Sequence, residues 1–383
     1  MNRQQFLIVL AVLVVLVAGG AGVAWWKRSS YEVADSRVGQ RLLEGFKIDD
    51  VAGIEVADAQ AGVTLVRGDR GWSVTERGGF PADVEPIRDL LVKLQELKVA
   101  QAEGLTDAVK PRLQLAAPGA GAKPEETGTL VELKGRDGGA IAKLVLGKQA
   151  VRQSPVAGVA GIPSGRYVWV AADPQRVSVV GDAFTGVAAK PQQWLAKELM
   201  RVERAKSVAA FGADGAEQWS VSKANEAGDW KLGGPGRLDG GKAQDAASAL
   251  YGLQVVEVAT GVKDADTGLA KPAIIRAQTF EDWTYELRIG KPAPEDRYYV
   301  QSRVTGSVPE SRPAAADEKP EAKEQADKAF AERKELLAAK LAREQAVAGR
   351  TVLVAKSSVE PLLRNRSALL VAAKPKGGDK ARK

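Results

Sequence analysis

Residues 63–98 read VTLVRGDRGWSVTERGGFPADVEPIRDLLVKLQELK, and the fold is decided here because the chain uses this pattern twice. Apolar residues spaced two apart on either side of a turn predict one buried face of a β-hairpin: Val63, Leu65, Trp72 and Val74. Asp83 follows the hairpin and is a typical residue to cap a helix. Helical spacing then relates the next apolar residues, which are Val84, Ile87, Leu91, Leu94 and Leu97.

The same order returns in the second half of the chain. The hairpin positions recur as Trp219, Val221, Trp230 and Leu232, and the helix positions as Asp239, Ala243, Ala247, Leu250 and Leu253. Later landmarks recur too: Leu115–Pro118 with Leu269–Pro272, Leu144–Lys148 with Leu287–Lys291, and Gly165–Ala171 with Gly349–Ala355. The sequence therefore predicts an α+β protein made of two tandem duplicated units with antiparallel sheets. We also expect Trp72 and Trp230 to be buried at equivalent places.

The predicted organisation divides the chain at changes of composition and pattern. The segments are an N-terminal transmembrane anchor at 1–28, a linker at 29–47, a first unit at 48–200, a second unit at 201–372 and a basic disordered tail at 373–383. Within the first unit, Asp173-Pro174 predicts a helix across Val177.

The second unit carries an insertion at 307–348 that the first unit lacks. Its core, from Glu318 to Ala346, is rich in Ala, Glu, Lys and Arg, which favours a helix. A thin apolar stripe of Phe330, Leu337 and Leu341 lies at helical spacing. The helix is either solvated or laid against a partner protein through this stripe. We expect it to project from the unit and to contribute little to core stability.

Composition excludes several kinds of chemistry. The 383 residues include neither His nor Cys, which removes Ser-His-Asp and Cys-His catalysis, disulfides, and thiolate or imidazole metal sites. The net charge is +7, and much of it comes from the C-terminal Lys374, Lys376, Lys380, Arg382 and Lys383. Because no basic stripe interleaved with aromatic residues occurs elsewhere, the sequence argues against nucleic-acid binding.

The segment from Phe6 to Trp26 contains no charged residue and matches the ~20 residues that a helix needs to cross a bilayer. Trp25-Trp26-Lys27-Arg28 closes it as an interfacial anchor would. The alternative is a cleaved signal peptide with Gly22-Val23-Ala24 as the cleavage site. We favour a retained single-pass anchor, with the body outside the membrane.

Three motifs invite a chemical interpretation. Gly236–Lys242 resembles the start of a phosphate-binding loop, but Ala243 stands where that loop needs Ser or Thr. Gly147-Lys148 and Gly290-Lys291 recur at strand ends, where glycine permits a turn and lysine faces water. Trp72 and Trp230 could form a sugar-stacking surface, although core positions fit their spacing better. We therefore predict no catalytic, cofactor-binding or metal-binding residue and no cofactor.

The soluble part resembles the bacterial family called domain of unknown function 4340 over about residues 40 to 370. The residues that carry the resemblance are Val51–Ile54, Leu65 to Val74, Phe80–Asp83, Thr106, Leu113–Leu115, Leu146–Lys148, Tyr167-Val168 and Gln193–Leu195. Gln114 stands where the family usually has glycine. The resemblance implies a bacterial envelope protein with one anchor in the inner membrane and its body in the periplasm. Such proteins are often encoded beside an ABC-type transporter of the gliding-motility kind and its extracytoplasmic auxiliary subunit. It implies no reaction.

These observations lead to three functional hypotheses. The first is a non-catalytic, membrane-anchored accessory or scaffold protein of an ABC-2-type transport system, with the permease and its auxiliary subunit as partners. The second is an envelope module that binds a polysaccharide or cell-wall ligand. The third is a hydrolase that uses Asp or Glu alone.

Overall fold

The computed structural model describes residues 37–119, 121–152, 162–312 and 318–371. Nine strands of the N-terminal half form one antiparallel sheet in the order β4-β3-β2-β1-β6-β7-β8-β9-β5, and helix α1 (Val84–Glu96) connects β4 to β5. The strands are β1 (Gly53–Ala57), β2 (Gly62–Gly68), β3 (Gly71–Val74), β4 (Phe80–Pro81), β5 (Val99–Gly104), β6 (Thr129–Lys134), β7 (Ala140–Arg152), β8 (Ile162–Val170) and β9 (Arg176–Val180).

The C-terminal half forms a second antiparallel sheet of eight strands in the order β13-β12-β11-β16-β17-β18-β19-β15. A separate two-stranded sheet pairs β10 (Glu198–Met200) with β14 (Leu253–Gln254). The other strands are β11 (Ala205–Phe211), β12 (Glu217–Ser222), β13 (Lys231–Leu232), β15 (Glu257–Val258), β16 (Ala273–Thr279), β17 (Thr284–Ala293), β18 (Arg297–Thr305) and β19 (Val352–Ala355). The helices are α2 (Gly240–Ala249), α3 (Asp264–Thr267), α4 (Pro320–Val347) and α5 (Lys356–Val359).

The predicted α+β class is wrong, because the described residues are mostly β structure. They contain 19 strands in three antiparallel sheets and five α-helices, two of which are only four residues long. The predicted helix across Val177 is strand β9. Its β-branched run, Val177 with Val179 and Val180, fits a pleated sheet and overrides the helix signal of Asp173-Pro174.

The structure does not support the predicted N-terminal transmembrane helix. The segment Phe6 to Trp26 lies outside the described residues. Within the described ranges, no helix is both long and apolar enough to cross a membrane. The longest, α4, is rich in charged residues.

Contacts divide the chain into two compact units, one of Met1–Val63 with Glu85–Ala189 and one of Thr64–Val84 with Lys190–Lys383. Two contacts explain why Thr64–Val84 belongs to the second unit. The Arg77 guanidinium binds both carboxylate oxygens of Glu257, at 2.7 and 3.0 Å, and Arg350 donates to the Gly78 carbonyl at 2.9 Å. The Glu257 carboxyl is part-buried, and its ion pair with Arg77 offsets the cost of removing it from water.

The two sheets have the same strand order once β4 is set aside. The sequence β3-β2-β1-β6-β7-β8-β9-β5 corresponds strand by strand to β13-β12-β11-β16-β17-β18-β19-β15. Strand β8 thus corresponds to β18 and not to β19, so the predicted match of Gly165–Ala171 with Gly349–Ala355 is wrong. The helix starts also correspond, since α1 begins directly after Asp83 and α2 directly after Asp239. This confirms the prediction for the two helix starts, while the domain boundaries stay a prediction.

Gly147 and Gly290 occupy matching places in β7 and β17, not turns as expected. A Cβ on Gly147 would lie 2.5 Å from the Leu113 carbonyl oxygen, and one on Gly290 would lie 2.2 Å from that of Thr267. Both strands shift register next to the glycine. The glycines are therefore needed because a neighbouring backbone approaches closely. Lys148 and Lys291 are exposed, as expected.

The insertion forms helix α4, but the prediction that it contributes little to the core is wrong for its C-terminal part. Lys340, Glu344 and Val347 are buried, and the helix contacts β18, β10 and β4. The stripe of Phe330, Leu337 and Leu341 is half-buried on the helix. Most residues before Leu337 are exposed, so the expectation of a solvated helix holds for that portion.

Candidate functional site

The glycine-rich loop before α2 is not arranged as a phosphate site. The Asp239 carboxylate accepts hydrogen bonds from the backbone N–H groups of Gly241 and Lys242, at 3.0 and 3.4 Å. These are the N–H groups that a phosphate would use at a helix N-terminus. Arg366 holds the preceding loop by donating to the carbonyls of Gly233 and Pro235, both at 2.6 Å. The motif is a capped helix start.

The two tryptophans expected in the core are half-buried, so that prediction is wrong. In the β2–β3 hairpin, Trp72 pairs with Arg67, which is two residues along each strand from the buried pair of Leu65 and Val74. At this position the hairpin extends beyond the core. Trp230 directly precedes β13 and likewise lies beyond the last core position of its hairpin, where the buried Val221 pairs with Leu232. The fully buried indole of this hairpin belongs to Trp219, whose Nε1 donates to the Arg364 carbonyl at 2.8 Å.

Trp230 forms a wall of a depression of about 240 Å³ in the second unit, which we call the Trp230 pocket. Trp230, Tyr251 and Phe280 provide its aromatic surfaces. The remaining lining residues are Val202, Arg204, Ala205, Lys223, Glu226, Gln244, Ala247 and Ser248. A few polar groups among aromatic walls are typical of a ligand-binding site, although this pocket is smaller than the ~300–1,000 Å³ of most.

Hydrogen bonds from helix α2 orient the tryptophan wall. Trp230 Nε1 donates to Gln244 Oε1 at 3.1 Å, and Gln244 Nε2 donates to Ser248 Oγ at 3.1 Å. Gln244 and Ser248 are four residues apart, so both lie on one face of the helix. Each still has hydrogen-bonding capacity for another partner.

Positive charge lies on two sides of the pocket. The Lys223 ammonium sits 4.8 Å from the centre of the Trp230 ring, and the structure gives it no carboxylate partner among the described residues. Outside the pocket lining, the Arg201 guanidinium lies 5.2 Å from the centre of the Tyr251 ring. Arg201 is also paired with Glu198 at 2.6 Å, so the cation at the pocket without a carboxylate partner among the described residues is Lys223, which the Trp230 ring holds in place.

Arg204 is the most constrained residue at the pocket. Its backbone has φ 49°, in the left-handed region that a residue with a side chain rarely adopts. Its guanidinium forms ion pairs with Glu226 and Glu281, and Arg333 on α4 also binds Glu281 at 2.9 Å. Backbone outliers of this kind occur often at ligand sites, where the surrounding structure must hold them.

The pocket exists because α2 has small side chains on its buried face. Its buried residues are Ala243, Ala246 and Ala247. The corresponding positions of α1 carry Ile87, Leu90 and Leu91, which are also buried. Since Ala247 lines the pocket, a leucine at that position would occupy part of its volume.

The first unit has a different depression, of about 440 Å³, beside the end of α1. Its described lining residues include no aromatic residue and are Lys93, Glu96, Leu97, Lys98, Val99, Ala100, Gly181 and Asp182. Lys93 is bound by Asp89 at 2.9 Å and by Asp182 at 3.5 Å, and these partners raise its pKa. Its charge is therefore engaged within the protein, which makes the Trp230 pocket the better candidate.

Comparison with protein families identifies the chain. Residues 72–272 match the model of the family described as domain of unknown function (DUF4340). The chain belongs to this family. No curated protein and no solved structure matches it. The matched segment of this DUF4340 protein contains every residue of the Trp230 pocket except Phe280.

Gln114 has an unusual backbone conformation. Its φ of 54° lies in the left-handed region, which glycine adopts most readily. In the second unit of the DUF4340 protein the matching position is Gly268, with φ 76°. A Cβ on Gly268 would lie 2.7 Å from the Lys291 backbone nitrogen. Gln114 thus adopts at a cost the conformation that Gly268 adopts freely.

A second polar cluster lies where α4 packs on its unit. The Glu344 carboxylate accepts hydrogen bonds from the Arg201 backbone N–H at 2.8 Å and the Tyr285 hydroxyl at 2.9 Å. Burial raises the pKa of Glu344. Burial, and then the nearby Glu344 charge, raises the pKa of Tyr285. Lys340 donates to Glu203 at 2.8 Å. These groups are satisfied by one another, which indicates a structural role.

Sequence reasoning missed the pocket because its residues come from distant segments. Lys223, Trp230 and Gln244 could have been related by the hairpin register and the following helix. Tyr251 and Phe280 join them only in three dimensions. One usable signal was present, namely the run of alanines in α2 where α1 has leucine and isoleucine. In the described ranges, no group of three or more acidic residues is placed to hold a metal ion.

Proposed function

We propose that this DUF4340 protein is a non-catalytic accessory protein of an ABC-2-type transport system, acting on the outer side of the bacterial cytoplasmic membrane. The support comes from its family, whose members are implied to be encoded beside such transporters. The observation that carries a binding role is the Trp230 pocket, whose tryptophan wall is held in place by a hydrogen bond to Gln244, which in turn binds Ser248. Prepositioned walls suit recognition of a ligand or partner.

Co-purification tests the transport association. The full-length chain carrying an affinity tag should retain the permease encoded beside it, together with the auxiliary subunit, after mild extraction from native cells. A permease complex that assembles and purifies without this chain would contradict the proposal. Arg67→Gln, an exposed change on the first hairpin, provides a matched variant that should leave association unchanged.

Labelling tests the proposed location. The chain contains no cysteine, so a single Glu335→Cys substitution on the exposed side of α4 gives one unambiguous reporter. In intact cells a maleimide that does not cross the cytoplasmic membrane should label it as fully as in lysed cells. Labelling that requires lysis would place the body in the cytoplasm and contradict the proposal.

The apolar stripe of α4 remains a proposed partner contact. Phe330, Leu337 and Leu341 are half-buried, so their substitution can disturb the unit itself. Leu336 is 72% exposed and offers a cleaner test on the same helix. If α4 contacts the permease, Leu336→Glu should weaken co-purification without lowering the melting temperature. Unchanged co-purification would argue against an interface at this part of the helix.

The second candidate is an envelope module that binds polysaccharide, and the Trp230 pocket favours it. Aromatic rings of Trp and Tyr combine an apolar face with a polar group, as sugars do. The third hypothesis, a hydrolase with two carboxylates, requires a carboxylate pair at one site. Glu226 is the one acidic residue among the described residues that line the pocket, so the observation favours binding.

A further inference from the structure

We propose that the Trp230 pocket binds a uronate residue of an acidic polysaccharide. This inference rests on the second proposed function, polysaccharide binding, and specifies the sugar that the site would take. The shape of the pocket, its hydrogen-bonding groups and its charge all favour such a ligand.

The shape fits one sugar unit rather than a large ligand. The volume of about 240 Å³ lies below the range of pockets that enclose drug-sized molecules. One wall of the pocket is the small Ala247, whose counterpart in α1 is the larger Leu91. Tyr251 is 50% exposed beside it and extends the aromatic surface outward. A chain of sugars could therefore continue past the pocket while one ring occupies it.

The polar groups of the pocket favour a ligand that has both hydrogen-bond donors and acceptors. Lys223 and the hydroxyl of Ser248 can donate, whereas Glu226 can only accept when ionised. Glu226 is about half exposed and has one ion pair, with Arg204, so its oxygens can accept further hydrogen bonds. A simple carboxylic acid or inorganic anion would meet an unfavourable negative charge at Glu226. Sugar hydroxyl groups satisfy both kinds of partner.

The charged groups of the pocket favour a negatively charged group on that sugar. Arg204 is already neutralised by Glu226 and Glu281. Lys223, in contrast, has an aromatic contact but no carboxylate partner among the described residues. A carboxylate placed beside the ammonium over the indole would form a charge-assisted hydrogen bond, which is stronger than a neutral one. A uronate provides this carboxylate together with the hydroxyl groups.

The test is calorimetric titration of the full-length chain with trigalacturonate, with neutral galactotriose and inorganic phosphate as comparison ligands. We expect saturable binding of trigalacturonate that is at least about tenfold tighter than binding of galactotriose. Lys223→Gln should remove that preference, since it deletes the charge without filling the pocket. Ala247→Leu should weaken both sugars. Arg67→Gln, at the position in the first hairpin that matches Lys223, is the control and should bind like the original chain.

The outcomes separate this inference from the proposals on which it rests. Equal binding of both sugars, lost in Ala247→Leu, would overturn the uronate assignment and keep polysaccharide binding. Binding of phosphate alone would overturn both. Saturable binding that survives Ala247→Leu and Lys223→Gln would place the site elsewhere and overturn the inference. Because Lys223 is a partly exposed surface residue, its substitution remains informative even if Ala247→Leu disturbs folding. Co-purification with the permease tests the transport role independently.

Discussion

Helices α1 and α2 start at equivalent positions, yet they bury side chains of very different size. In the first copy the hairpin contributes the small Val63 and the helix contributes Ile87 and Leu91, all buried. In the second copy the hairpin contributes Trp219 and the helix contributes Ala243 and Ala247. The larger buried side chains thus lie on the helix in the first copy and on the strand in the second, while the strand order is the same. The difference teaches that a shared framework fixes backbone positions and leaves side-chain volume free to be redistributed, and in the second copy this leaves the Trp230 pocket.

The largest effect expected from this comparison is at Trp219. Trp219→Ala should destabilise the second unit by roughly 3–5 kcal/mol, because it loses the burial of a large aromatic and leaves a cavity. It also leaves the Arg364 carbonyl without its indole donor. Denaturant unfolding, followed by circular dichroism, measures the change.

Val63→Ala is the matched substitution in the first copy and should cost less, since fewer buried atoms are removed. Trp72→Ala should also cost less than Trp219→Ala because Trp72 is half-buried. Equal losses at Trp219 and Val63 would show that the redistribution of volume does not hold.

The next effect concerns the paired glycines. Gly290→Ala and Gly147→Ala should each destabilise by about 1–3 kcal/mol, because the new Cβ would collide with the Thr267 or Leu113 carbonyl. Gly252→Ala and Gly104→Ala are controls, because the new Cβ would have no other atom within 4 Å at either position. Both should leave stability unchanged or slightly raised. A loss at only one member of the pair, measured by thermal unfolding, would indicate that the two strands are not equivalent.

Much of the framework could be predicted from the sequence. Alternating apolar residues gave the hairpins, and Asp83 and Asp239 gave the helix starts. The recurrence of Gly147 and Gly290 correctly predicts that the two positions are equivalent, but the predicted turns are wrong. Whether a glycine allows a turn or a close backbone approach depends on what lies opposite, and that segment, Leu113 in one case and Thr267 in the other, is distant in sequence.

The errors have a common physical origin. Helix patterns are local in the sequence and strong, whereas the pairing of 17 strands in two sheets is not local. The predicted fold class therefore overstates the share of helix. Trp72 and Trp230 follow the alternation of their hairpins, but alternation predicts which face a residue occupies and not how far the core extends along it. The charged composition of the insertion predicts a solvated helix, whereas Lys340 and Glu344 on α4 each bind a partner from elsewhere in the unit.

The buried charge on α4 gives a pH-dependent prediction for the region that has no counterpart in the first copy. Burial raises the pKa of Glu344 above its unfolded value, so the folded state holds this proton more tightly than the unfolded state. The resulting stabilisation is fully present below the unfolded pKa and is lost as the pH rises through the folded pKa. The hydrogen bonds from the Arg201 backbone N–H and the Tyr285 hydroxyl, and the positive charge of Lys340, oppose this increase in pKa.

Glu344→Gln keeps an acceptor for the Arg201 N–H and removes the buried charge. Relative to the original chain, its stability should rise by on the order of 1 kcal/mol as the pH increases from 4 to 7, since a neutral group costs less to bury. Glu335→Gln, on the exposed side of α4, should show no such trend. Parallel unfolding curves for Glu344→Gln and the original chain across this range would contradict the assignment of the raised pKa.

The smallest effect expected is at Gln114, and it tests whether the two copies share one backbone there. Gln114 and Gly268 both have positive φ, but only the second is a glycine. Gln114→Gly relieves the crowding of a side chain in the left-handed region, while it raises the conformational entropy of the unfolded chain. These two contributions oppose each other, so the net gain should stay below about 1 kcal/mol. Gly268→Ala has no such compensation, because its Cβ would lie 2.7 Å from the Lys291 nitrogen, and it should lower stability clearly. Gln114→Asn, which tolerates this conformation better than glutamine, should fall between glutamine and glycine. A clear loss of stability in Gln114→Gly, measured by thermal unfolding beside the Gly104→Ala control, would mean that the glutamine side chain contributes more than the strain it causes, and that the first copy has replaced the glycine for a reason of its own.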